Sequence, residues 1–322
     1  MKTRMSERIV FLDRATLPER IELPRPTLAH EWQEFATTAP DQIVARLADA
    51  TIAIVNKVRL GQSELACLPQ LRLIVVAATG TDNVDLAACQ QLGIAVCNVQ
   101  GYAVHAVAEH TLALMLALAR NLPAYRQALQ QGAWQQSPHF CYFGPAIHDL
   151  AGKRLGLIGS GSLGQAVARL GEALGMEVWF AERAGATPGA NRLPLEQLLE
   201  QCDVISLHCP LNEQTRNLID ARALARMKST ALLINTARGA LVDEEALLTA
   251  LEQGKIGGAA SDVSRSEPPA AQSPLLRAQQ LPNFILTPHV AWASDEAMQR
   301  LAHQVTENID AFARGTALRR VV

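Results

Sequence analysis

Short apolar runs alternate along this chain with stretches whose apolar residues recur every three or four positions. The runs at 9–12, 51–55, 73–78 and 94–96 are of strand length and apolar on successive positions, which predicts strands buried on both faces, as in a parallel sheet. The intervals between them read as helices, and strand–helix alternation of this kind predicts parallel α/β units. After a loop-rich break at Gly144-Pro145 the alternation restarts, with strands expected at 154–158, 177–181, 204–207, 231–234, 258–261 and 284–286. A long apolar helix at 102–120 is expected to join two α/β domains. A last amphipathic helix, about 295–314, follows the final strand of the second domain, and its apolar positions suit packing back on the first.

The expected architecture is two Rossmann-like or flavodoxin-like α/β domains with parallel sheets: a discontinuous one made of 1–100 plus 290–322, and a continuous one at 101–289. A length of 322 residues agrees, since it exceeds what one core usually serves. Composition narrows the partners. With 29 basic and 31 acidic residues spread along the chain and a net charge of -2, neither nucleic acid nor an anionic membrane is an expected partner. The apolar stretch 103–119 is interrupted by His105, Glu109 and His110 and is too short to span a bilayer. Residues 1–10 carry Lys2, Arg4, Glu7 and Arg8 ahead of a brief apolar run, which is not the pattern of a signal peptide. Cys67, Cys89, Cys97, Cys141, Cys202 and Cys209 show no spacing for zinc or a redox pair, so a reducing, cytoplasmic setting is expected.

The first chemical signal is Gly159-Ser160-Gly161-Ser162-Leu163-Gly164, placed between the strand 154–158 and a helix at 163–174. Glycines there permit a tight turn and a close backbone approach, so that a pyrophosphate can rest on the free amides of a helix N-terminus. Glycine-rich turns also arise for simple packing reasons, but Glu182 stands at the end of the next strand, where a carboxylate can bind both hydroxyls of an adenosine ribose. Strand, loop, helix and acid in this order predict dinucleotide binding.

The second signal is the run from Met227 to Gly239, a buried strand that delivers Arg238 at its carboxyl end, where ligands of open α/β sheets bind. A guanidinium matches both oxygens of a carboxylate, although an arginine capping a helix at the surface would look the same in isolation. Asp262, Glu267 and His289 each follow a later expected strand. An imidazole held by a carboxylate suits protonation of a carbonyl oxygen while hydride arrives at carbon.

With these motifs, and with Ala78-Thr79-Gly80-Thr81-Asp82-Asn83-Val84-Asp85, Val107-Ala108-Glu109-His110 and Leu207-His208-Cys209-Pro210-Leu211, the chain resembles the D-isomer-specific 2-hydroxyacid dehydrogenases over nearly its whole length. Within them, the Phe180-Ala181-Glu182-Arg183 turn, Ser266-Glu267-Pro268-Pro269 and His289-Val290-Ala291-Trp292 are most like the glycerate dehydrogenase/hydroxypyruvate reductase group. The resemblance implies a small 2-keto or 2-hydroxy acid substrate, NAD as cofactor, no metal, and a homodimer. It implies that Arg238 grips the carboxylate and polarises the keto group, that His289 is the acid/base, and that Glu267 orients His289. Thr79 and Gly80 would contact the substrate. Gly159, Gly161, Ser162, Leu163 and Gly164 would hold the pyrophosphate, Pro210 would border the adenine, Thr215 would lie near the cofactor, and Thr236, Ala237 and Asp262 would serve the nicotinamide end. On this reading 101–289 binds the dinucleotide, the discontinuous domain binds substrate, and catalysis takes place in a cleft. Arg183, beside Glu182, would favour NADP if it turned inward.

Other residues carry blander expectations. His105 and His110 read as structural side chains of an apolar helix. His208 has no evident acid/base partner, Cys209 reads as a small buried hydrophobe, and Trp292 either walls a pocket or serves a subunit contact. Two rival functions remain open to the sequence: a dinucleotide-sensing corepressor without catalysis on the same fold, and phosphoglycerate dehydrogenase.

Overall fold

Residues 52–55 and 73–76 contain nothing but Ile, Ala, Leu and Val, and both runs are wholly buried in the centre of a parallel sheet. The structure is a computed structural model that describes residues 6–182 and 189–322. Its contacts divide the chain into two units, Met1–Ala103 with Ala293–Val322, and Val104–Trp292. In the first, β1 (Glu7–Phe11), β2 (His30–Glu34), β3 (Ile52–Val55), β4 (Leu73–Val76) and β5 (Ala95–Cys97) form a parallel sheet ordered β2-β1-β3-β4-β5. The strand β2 is a departure from the expected elements. Its sequence, His-Glu-Trp-Gln-Glu, offers no apolar run because an edge strand pairs on one side only and its faces reach water.

The helix Asp295–Ala313 lies against β4 and buries Met298, Leu301, Ala302, Val305 and Ile309, the spacing of one helical face. It starts where Ser294 accepts a hydrogen bond from the Ala297 amide, and Asp295 and Glu296 stand in its first turn, where negative charge meets the positive helix end. The last residues complete the unit: Val96 N donates to Val322 O, and Val321 N donates to Val96 O.

In the second unit seven parallel strands take the order β12-β11-β10-β9-β6-β7-β8. These are β6 (Arg154–Ile158), β7 (Glu177–Ala181), β8 (Arg192–Leu193), β9 (Val204–Leu207), β10 (Leu232–Asn235), β11 (Gly258–Ser261) and β12 (Phe284–Leu286). The order reverses between β6 and β9, which opens a crevice at their carboxyl ends. Two-residue β8 was not anticipated, being too short to show a period. The apolar helix spans Val104–Ala119 and packs on β10, β11 and β12. Among the described residues, no helix is long and apolar enough to cross a membrane.

One buried carboxylate holds the first unit's strand ends together. Asp13, just past β1 and 4% exposed, accepts hydrogen bonds from the amides of Asn56, Lys57 and Val58 past β3. Asp13→Ala strands those amides without an acceptor, and a loss of about 3 kcal/mol is expected in urea unfolding followed by circular dichroism; a loss below about 1 kcal/mol would show that the amides find other partners.

Candidate active site

Chain order in the second unit places every residue expected there at the carboxyl ends of its strands. The turn Gly159–Gly161 follows β6 and leads into the helix Ser162–Ala173, with Gly161 as its N-cap. Gly159 has a φ of +116°, and a Cβ on it would stand 2.4 Å from the His208 carbonyl oxygen at the end of β9. A Cβ on Gly164 would stand 2.0 Å from the Gly159 oxygen, so turn and helix fit together only without side chains. Around Gly161, by contrast, there is open space beside the helix N-terminus. Amides at a helix start facing open space are what a pyrophosphate requires, so this loop fits a dinucleotide.

Glu182 directly follows β7 and is half-buried, its amide donating to Leu193 O of β8. Arg183 lies outside the described residues. A different cation occupies this edge: Arg192 donates to Ser160 Oγ in the glycine loop at 3.1 Å and to Ala181 O, with its guanidinium 5.7 Å from the Phe180 ring centre. Sequence reasoning missed Arg192, because nothing in a two-residue strand marks its side chain. Pro210 and Thr215 share the loop after β9, where Thr215 Oγ1 donates to Pro210 O and accepts from Asn212 N.

His208 sits beneath the glycine loop. Its Nε2 is hydrogen-bonded with Ser206 Oγ at 2.9 Å, and its buried Nδ1 has no partner among the described residues. Burial pushes its pKa down to about 4, so the ring is neutral at neutral pH. Burial likewise pushes the Cys209 thiol upward, away from thiolate character.

Three neighbouring strands carry the remaining candidates. Asn235 of β10 pairs with Ser261 of β11, which pairs with Leu286 of β12. Arg238, Asp262 and His289 follow those strands. Asn235 fixes the first loop, its side chain donating to Arg238 O and accepting from Ala237 N. Arg238 is half-buried and donates to Ala237 O. Gly239 brings this loop against the next one, since a Cβ there would lie 2.2 Å from Ser264 O. Three residues further, Glu267 accepts from Ser264 N through Oε1, which leaves Oε2 to His289 Nδ1 at 2.6 Å. Glu267 and His289 are thus brought together.

His289 has a φ of +56°, a left-handed backbone rare outside glycine. Asp262, 1% exposed, holds it there: His289 N donates to Asp262 O, Val290 N to Oδ1 and Ala291 N to Oδ2. Trp292 Nε1 donates to His289 O, so the indole braces the same turn. In the first unit, Thr79 and Gly80 follow β4, with Thr79 Oγ1 donating to Val99 O and Thr79 O accepting from Asn98 Nδ2.

Comparisons with known proteins agree with one another. The family described as D-isomer specific 2-hydroxyacid dehydrogenase, NAD binding domain, matches residues 112–291. A glycerate dehydrogenase of Methylorubrum extorquens is 48% identical over 312 residues, 97% of this chain and 98% of that one. A hydroxypyruvate reductase of Blautia hydrogenotrophica is 33% identical and covers 88% of this chain and 89% of its own. Among solved structures, an acyclic imino acid reductase in complex with NADPH and D-arginine has a TM-score of 0.83 at 27% identity, covering 98% of this chain and 100% of that one.

The neutral His208 has a consequence for stability. The unfolded ring takes up a proton near pH 6.5, whereas the folded one does so only near 4. Between these values the unfolded state binds more protons, so unfolding free energy falls as the pH falls, by up to about 1.4 kcal/mol per unit. Urea titrations on either side of pH 6.5 should show a shallower dependence in His208→Gln than in the parent, and equal dependences would remove His208 as the source.

Proposed function

The chain belongs to the D-isomer-specific 2-hydroxyacid dehydrogenase family, and on that premise we propose that it reduces hydroxypyruvate or glyoxylate to D-glycerate or glycolate. The observation that carries this reading is the 2.6 Å hydrogen bond between Glu267 and a His289 held in the left-handed region. A ring fixed in this way keeps Nε2 aimed outward from its carboxylate partner, ready to give a proton to a carbonyl oxygen.

NADH, when bound, supplies the hydride that forms the new C–H bond at the 2-carbon. The carbonyl π electrons then move onto oxygen, and His289 Nε2 gives the proton that completes the hydroxyl. Arg238 binds the carboxylate through its two parallel N–H bonds and withdraws charge from the keto group. Thr79 and Gly80 are assigned to substrate binding. Gly159, Gly161, Ser162, Leu163 and Gly164 hold the pyrophosphate, Pro210 and Thr215 border the adenine end, and Thr236, Ala237 and Asp262 serve the carboxamide. Val104–Trp292 is accordingly the dinucleotide domain, and the discontinuous unit is the substrate domain.

The cofactor is NAD in this reading. Glu182 accepts hydrogen bonds from both ribose hydroxyls and repels a 2′-phosphate. The six cysteines are free thiols, which accords with the cytoplasm. A homodimer is supported by a patch in one segment: Leu122, Leu129, Trp134, Phe140, Phe143 and Ile147 are all exposed, Phe140 at 92% and Phe143 at 85%. The segment is nonetheless ordered by its own bonds, Trp134 Nε1 to Phe140 O and Tyr125 OH to Pro145 O, so it presents these rings to an aqueous face. Apolar rings held in this manner mark a partner surface.

Three measurements test the proposal. In a spectrophotometric screen of hydroxypyruvate, glyoxylate, pyruvate and phenylpyruvate, the first two should be turned over fastest, with kcat/KM favouring NADH over NADPH at least about tenfold. NADH binding without turnover would instead identify a sensor. His289→Ala should lower turnover about 10² to 10⁴-fold with little change in NADH affinity, and near-parental turnover would take His289 out of the chemistry. By sedimentation the parent should be a dimer and Phe140→Asp/Phe143→Asp a monomer; an unchanged state in the double variant would place the subunit contact elsewhere.

A further inference from the structure

The helix Val104–Ala119 brings a histidine with no role in the proposed chemistry to the loop that carries His289. His110 Nε2 lies 3.1 Å from Thr287 Oγ1, and Thr287 Oγ1 in turn donates to Asp262 Oδ1 at 2.5 Å. Because the threonine proton is committed to the carboxylate, its oxygen can only accept from the ring. That places the His110 proton on Nε2. The next residue makes a parallel connection: Thr111 Oγ1 donates to Val107 O and stands 3.0 Å from Thr236 Oγ1, in the loop before Arg238.

Asp262 has little freedom of its own. Oδ1 accepts from the Thr287 hydroxyl and from Val290 N, while Oδ2 accepts from Ala291 N. The orientation of this carboxylate therefore sets where two amides following His289 can point, and with them the left-handed turn that aims the ring at Glu267. His110 Nε2 is also 3.7 Å from Asp262 Oδ1. If the hydroxyl between them were removed, the carboxylate could rotate toward the ring and carry the Val290 amide with it.

We propose that His110 and Thr287 are positioning residues for His289, acting through Asp262: the helix histidine donates to the threonine, the threonine fixes the carboxylate, and the carboxylate fixes the turn. The inference rests on the reading of His289 as the proton donor, but the geometry it concerns can be observed without substrate. The proton shared between His289 Nδ1 and Glu267 gives a far-downfield NMR resonance, which should be sharp in the parent chain, lost or broadened in Thr287→Val, and restored in Thr287→Ser. With the keto acid that the chain reduces, Thr287→Val should lower kcat about tenfold, the worth of one hydrogen bond to a charged group. His110→Phe should do the same and His110→Gln, whose amide N–H can stand where Nε2–H does, should not. Since the two act in series, the double variant Thr287→Val/His110→Phe should be no worse than Thr287→Val alone. A downfield proton unchanged in Thr287→Val, or effects of the two substitutions that simply multiply, would overturn the inference. Absence of turnover in the parent chain would instead overturn the proposed reaction, and the resonance would still decide the positioning role.

Discussion

Strands that run parallel end along one edge of their sheet, and the loops leaving those ends share that edge. The named strands of both sheets all pair in parallel, so the constraint acts on each sheet, and the antiparallel bridge of Cys97 with Arg320 lies outside those pairings. In Val104–Trp292 it gathers the glycine turn, Glu182, His208, Arg238, Asp262 and His289 from six separate strands. These residues are far apart in sequence, yet register carries the last three to adjacent places: Asn235, Ser261 and Leu286 pair across β10, β11 and β12, and Arg238, Asp262 and His289 follow them within three positions.

What the edge gathers, buried polar groups then fix. The Asp262 carboxylate binds two successive amides, Asn235 binds both sides of the Arg238 turn, and the Asp13 carboxylate binds three successive amides of the loop after β3. Each group is almost fully buried, so none exchanges its partners for water without a penalty. A loop tied in this way can hold His289 in the left-handed region, which an untethered chain would leave.

The sequence shows most of the fold, because strands covered on both faces must be apolar throughout. β6, β7, β9, β11 and β12 coincide with the apolar runs residue for residue. β2 and β8 do not announce themselves: one is polar on both faces and the other is two residues long. The candidate site residues divide in the same way. Gly159, Arg238, Glu267 and His289 stand out because their chemistry or backbone freedom is unusual at a strand end. Arg192 and His110 do not, since only their contacts bring them to notice. A histidine on an apolar helix looks like a packed side chain until Thr287, which is distant in sequence, is found beside it.

The discontinuity of the first unit bears on how the chain is made. Its sheet strands come off the ribosome first, but the helix that covers β4 and the segment that pairs with Val96 come last, after all of Val104–Trp292. At translation rates of about 5–20 residues per second, the second unit emerges over roughly ten seconds or more while one face of the first waits uncovered. The later-made unit is the one able to finish first. During that interval the face of Leu73–Val76 that the last helix will cover, apolar on every position, stays open to non-specific association.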